Sequence, residues 1–117
     1  MLFPKALLRL EGLALAAAAV AVYVHEDYSV WLFVALILAP DLSFAGYAAG
    51  PRIGAMIYNV VHTTIGPLAL GAVCLIAGGG VPVEIALIWL AHIGADRLLG
   101  YGLKYPTAFK DTHLGRV

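Results

Sequence analysis

Apolar stretches of about 20 residues recur four times along the chain, at residues 6–24, 29–49, 53–77 and 81–99. That is the length a helix needs to cross a bilayer. The chain has 117 residues, of which 62% are hydrophobic and 12% charged. Soluble domains average about a quarter charged, so this chain has too few charges to cover a water-facing surface. A protein this small could not bury that much apolar surface in a core of its own. The bilayer is the solvent that fits.

The breaks between the stretches read "HEDY", "GPR" and "GGGVP", each with turn chemistry. Connections this short make sequential helices antiparallel neighbours. The expectation is an all-α integral membrane protein, an up-down four-helix bundle with a tail at 104–117. Gly66-Pro67 inside the third stretch predicts a kink there. The N-terminal stretch has a basic start like a signal peptide, but Arg9 and Glu11 interrupt it and no small-x-small site precedes "HEDYS". It is read as a retained first helix.

The positive charges give the orientation. Lys5 and Arg9 precede or begin the first span, Arg52 lies in the second connection, and Arg97, Lys104, Lys110 and Arg116 end or follow the fourth. The first and third connections have no Lys or Arg. With four spans, all these charges fall on one side, and that side is cytoplasmic. Both termini are therefore expected in the cytoplasm and "HEDYS" outside, in a bacterial inner membrane. Net charge is zero, so nothing points to nucleic acid.

The same topology gives depths. Asp41 falls in the inner half of the second span. Asn59 and His62 lie roughly 9 and 14 Å into the third, at 1.5 Å per residue. His92 and Asp96 are four apart and share a helical face. Glu11 of the first span is at a similar level, and Thr63 is close to His62. An ionisable side chain facing lipid costs several kcal/mol, so such groups face inward and pair. One polar cavity toward the cytoplasm accommodates them all. A His–Asp set of this kind can bind a divalent metal such as zinc or manganese, relay protons, or join helices by hydrogen bonds. In the metal reading Asp41, His62, His92 and Asp96 are the ligands, Asn59 and Thr63 support them, and Glu11 is the acid/base. The other reading is a non-catalytic subunit packed against a larger membrane complex.

Other features read as structural. Arg97 points away from His92 and is expected to snorkel to the interface or pair with Glu11. Gly46 and Gly50 match a small-xxx-small motif but stand before Pro51, and a turn is favoured. Tyr28, Trp31, Tyr101 and Tyr105 suit interfacial anchors. Glu84 is expected to be solvated, and Cys74, the one cysteine, to fill apolar space. The tail suits lying along the headgroups, with Asp111 and His113 able to fold over the cavity mouth.

At "APDLSFAGY", "YNVVHTT" and "WLAHIGADRLLGYGLKYPTAFKDTHLGR" the chain resembles a bacterial membrane family called domain of unknown function 4260. The resemblance covers nearly the whole chain and implies no particular activity. More distantly, Pro40-Asp41, His62-Thr63 and His92 with Asp96 fall in the same order as motifs of the LexA-binding type of membrane-bound metal-dependent hydrolase. Ser43 stands where that family has a second Asp. That resemblance implies a metal-dependent, hydrolase-like centre on these residues.

Overall fold

The computed structural model describes residues 3–106, 110 and 112–116. Its elements are α1 (Pro4–His25), α2 (Val30–Leu36), a 3-10 helix (Ala39–Ala49), α3 (Pro51–His62), α4 (Ile65–Ile76), α5 (Val81–Leu99) and the short α6 (His113–Arg116). Proline opens α1, the 3-10 helix, α3 and α5 within their first two positions. There its missing N–H deprives the helix of nothing. Among the described residues, Pro4–His25, Val30–Ala49 and Pro51–Ile76 are long and apolar enough to cross a membrane. At 1.5 Å per residue α1 alone is about 33 Å long, against a hydrocarbon core of about 30 Å.

The fourth expected span, α5, differs from the other three. It carries Glu84, Asp96 and Arg97 and has the most buried residues of any helix. The other elements are arranged around it: α1 runs along it, and α4 and α2 also pack on it. The α1–α5 crossing is close because both helices present glycine. A Cβ on Gly94 would stand 2.6 Å from the Ala16 backbone nitrogen, and one on Gly12 would stand 2.8 Å from the Gly94 carbonyl oxygen.

Two of the expected spans are broken. The stretch expected at 29–49 is seven residues of α-helix followed by eleven of 3-10 helix. The stretch expected at 53–77 breaks at Thr63, which is extended (φ −83°, ψ 149°), and not at Gly66-Pro67. Pro67 is still the cause. Its ring clashes with the carbonyl four residues earlier, and that residue is Thr63.

Each break leaves backbone carbonyls without the donor four residues on. In a membrane such groups must be satisfied inside the protein, and α5 supplies the donors. Trp89 Nε1 donates to the Val61 carbonyl at 2.6 Å. Arg97 donates to the His62 carbonyl at 3.3 Å. His92 Nδ1 lies 2.6 Å from the Ile37 carbonyl, at the α2 break. Arg97 therefore caps α3, rather than snorkelling or pairing with Glu11. At the other end of α5, Glu84 accepts the Ser29 N–H at 2.9 Å, so it is a cap for the α2 entry and not merely solvated.

The 3-10 helix has a geometric reason. It packs antiparallel on α3, with Tyr47 against Gly54, Phe44 against Tyr58 (ring centroids 5.5 Å) and Asp41 against His62. Its contacts recur every third residue and those of α3 every fourth. Three residues of 3-10 helix rise about 6 Å, and four of α-helix rise about 6 Å. The two ladders stay in register along their whole length. Gly46 belongs to the same seam, since a Cβ there would meet Ile57, while Gly50 (φ 108°) makes the turn into α3. The "GYAAG" stretch is thus both packing site and turn.

Candidate metal centre

Three segments deliver the four central side chains: Asp41 from the 3-10 helix, His62 from the last residue of α3, and His92 with Asp96 from α5. His62 and His92 are buried, with side chains only 3% and 4% exposed, while Asp96 is 17% and Asp41 35% exposed. Asp41 Oδ1 lies 3.0 Å from His92 Nε2 and 3.5 Å from His62 Nε2. Asp96 Oδ2 lies 3.2 and 3.5 Å from the same two atoms. All four candidate ligand atoms fall within 4.8 Å of one another, and among the described residues this is the group that could hold a metal ion.

The other ring nitrogens settle the tautomers. His62 Nδ1 faces the Tyr58 carbonyl at 3.0 Å and His92 Nδ1 faces the Ile37 carbonyl at 2.6 Å. A carbonyl oxygen only accepts, so each Nδ1 must carry the hydrogen. In the neutral rings both Nε2 atoms then present lone pairs to the carboxylates. His62 Nε2 is buried without a hydrogen-bond partner. Fixing the tautomer of a ligating histidine through its far nitrogen is the usual outer-shell arrangement at metal sites. The spacing also fits. Bonds of 2.0–2.1 Å around a tetrahedral ion put neighbouring ligand atoms about 3.3–3.4 Å apart; four of the six separations, the N···O ones, are 3.0 to 3.5 Å, and the whole set lies within 4.8 Å.

An aromatic wall holds His62. Its ring stacks on Tyr58 at 3.7 Å between centroids, and Tyr58 stacks on Phe44. Beside the cluster lies a cavity of about 310 Å³ lined by Asp41, Phe44, Tyr58, Asp96, Tyr101 and Lys104. Lys104 is buried, with its amine 4.5 Å from the centre of the Tyr58 ring. Burial holds that amine below its ordinary range, with the Asp96 charge opposing.

The remaining expected site residues lie elsewhere. Glu11 is exposed on α1 beside the buried Gly12 and is not in the cluster. Depth along a helix says nothing of rotation about its axis, and here the neighbouring glycine faces α5. Asn59 binds the tail: its Nδ2 donates to the Lys104 carbonyl at 2.7 Å, and the Lys104 N–H donates to its Oδ1 at 2.6 Å. Thr63 is the α3 C-cap, its N–H bonded to the Asn59 carbonyl. His113 exchanges two hydrogen bonds with the Leu103 backbone, each 2.8 Å, and Leu114 is buried beside it. Asp111 lies outside the described residues. Trp89 and Arg97 are the contributors that sequence reasoning missed. Trp89 stands three residues before His92 and on its face, which was the signal there to find; Arg97, one residue past Asp96, lies off that face and gives no such signal.

No curated protein and no solved structure matches the chain. A family model does match, over residues 5–117, nearly the whole length. The chain therefore belongs to the family described as Domain of unknown function (DUF4260).

Proposed function

We propose that the protein is a four-span bacterial inner-membrane protein, with both termini cytoplasmic, whose Asp41, His62, His92 and Asp96 hold a divalent metal ion. One observation carries the metal reading. Both imidazoles commit their Nδ1–H to carbonyls, which leaves two lone pairs and two carboxylates converging on one point. A divalent cation balances the two carboxylates, and a neutral assembly is what a membrane interior favours. The mixed nitrogen and oxygen set suits zinc or manganese. With α5 as the fourth crossing, every Lys and Arg lies toward the cytoplasm, and so does the cavity.

The site reads as hydrolase-like because it is open on one side. Both carboxylates that would hold the ion also line the cavity. An ion there would supply Lewis-acid polarisation and lower the pKa of a water molecule. Lys104, Tyr58 and Tyr101 would surround whatever enters.

Elemental analysis of protein purified in mild detergent tests the reading. Stoichiometric zinc or manganese is expected, falling to background in His62→Ala and His92→Ala. Protein that arrives metal-free and takes up neither ion on titration would overturn it. Ser29→Cys should label from the outside; labelling only after the membrane is opened would reverse the proposed orientation.

A further inference from the structure

Each of the three segments that carry the cluster supplies three residues to this region: Pro40, Asp41 and Phe44 from the 3-10 helix, Val61, His62 and Tyr58 from α3, and Trp89, His92 and Asp96 from α5. The first of each set lines an apolar groove of about 370 Å³, together with Leu36, Ala39, Ile85 and Ile88. The last of each lines the polar cavity. The cluster thus stands between an apolar compartment and a polar one.

The groove opens to lipid. Leu38, Val60 and Ile65 neighbour its lining residues in the chain and are 68%, 70% and 72% exposed, and all three lie in stretches long and apolar enough to span the bilayer. What covers such a surface is hydrocarbon. From this arrangement we infer that the centre receives a membrane amphiphile, its alkyl chain in the groove and its polar linkage against Asp41 and Asp96. The inference rests on the metal reading of the site and adds the class of molecule it serves.

One physical point sharpens it. A chain leaving bulk lipid for an apolar groove gains no hydrophobic free energy, because lipid tails are as apolar as leucine. Preference for the groove must therefore come from the polar end held at the centre. Groove occupancy should depend on the cluster, and a passive lipid-filled cleft would show no such dependence.

The test uses the full-length protein in nanodiscs doped with a phospholipid carrying a diazirine in one acyl chain. After irradiation, labelled residues are mapped by mass spectrometry. Labelling of Leu36, Ile85 and Trp89 should exceed several-fold that of Val73 and Ile76, which are 65% and 89% exposed on α4. Filling the groove with Ile85→Trp should abolish the excess, and Ala39→Phe serves if that variant does not fold. Asp41→Asn should reduce it as well. Groove labelling equal to the α4 positions, or indifferent to Asp41→Asn, would overturn the inference. Metal content measured on the same samples separates the two readings. Stoichiometric metal without groove preference sinks the amphiphile alone, and wild-type protein that binds no metal sinks both.

Discussion

The Asn59 side chain holds the Lys104 backbone by two hydrogen bonds, giving its Nδ2 to the carbonyl and taking the amide N–H on its Oδ1. A side-chain amide thus imitates a neighbouring strand and fixes one wall of the cavity. Asn59→Leu keeps the volume and removes both partners. Leaving these groups unpaired should weaken docking of residues 101–106 by about 1–3 kcal/mol. Faster amide exchange at Lys104, with α1 and α5 protection retained, is the expected result.

The His113 contact should be sensitive to acid. Burial holds its pKa below the ordinary value of 6.5, and the Arg97 charge adds to the effect. The Leu103 N–H donates to Nδ1, and protonation would take away that lone pair. The undocked segment therefore binds the proton more readily than the docked one, so docking strengthens as pH rises. It should be complete above pH 6.5 and decline as pH falls below it. Exchange of the Leu103 amide followed from pH 8 to 5, roughly the range over which imidazole titrates, checks this. His113→Gln should flatten the profile.

At the α1–α5 crossing the backbones leave no room for a side chain. Gly94→Val would drive a Cβ to 2.6 Å from the Ala16 nitrogen. Neither backbone can yield without parting the helices, so the cost should reach or exceed about 3 kcal/mol, the upper end for overpacking. A denaturation midpoint in mixed detergent measures it. Gly79→Ala is the control, because no atom lies within 4 Å of a Cβ there; any loss would come from its positive φ alone.

On the proposed metal reading, removing the ion should cost stability in proportion to its binding. At a free concentration about 100 times the dissociation constant, the ion adds about 2.7 kcal/mol. Chelation should therefore lower the melting temperature, and added zinc or manganese should restore it. In Asp96→Asn the restoring shift should shrink while helical circular dichroism persists. A melting curve indifferent to chelator would count against the centre.

The four-span reading of the sequence expects Asp41, His62, His92 and Asp96 at a similar depth, and the fold brings the four together. Glu11 shows where depth fails, since the face of α1 it occupies depends on the Gly12–Gly94 crossing. The break at Thr63 is also legible once Pro67 is read through its effect four residues upstream. The 3-10 helix is not visible as apolar periodicity, because residues 29–49 are apolar nearly throughout. Its trace is the spacing of Asp41, Phe44 and Tyr47 by three, set against Gly54, Tyr58 and His62 by four. The tail's docking escapes a reading based on polarity, since its anchors are backbone groups meeting Asn59 and His113.

The donors on α5 have a consequence for how the chain is made. Synthesis delivers the broken stretches first and Trp89, His92 and Arg97 last. Until those side chains arrive, the carbonyls of Ile37, Val61 and His62 lack the partners they have in the finished fold. An unsatisfied backbone group in hydrocarbon costs several kcal/mol. In a bilayer, a chain cut short before residue 89 would therefore hold all three stretches long and apolar enough to span it and still leave the breaks in two of them without donors.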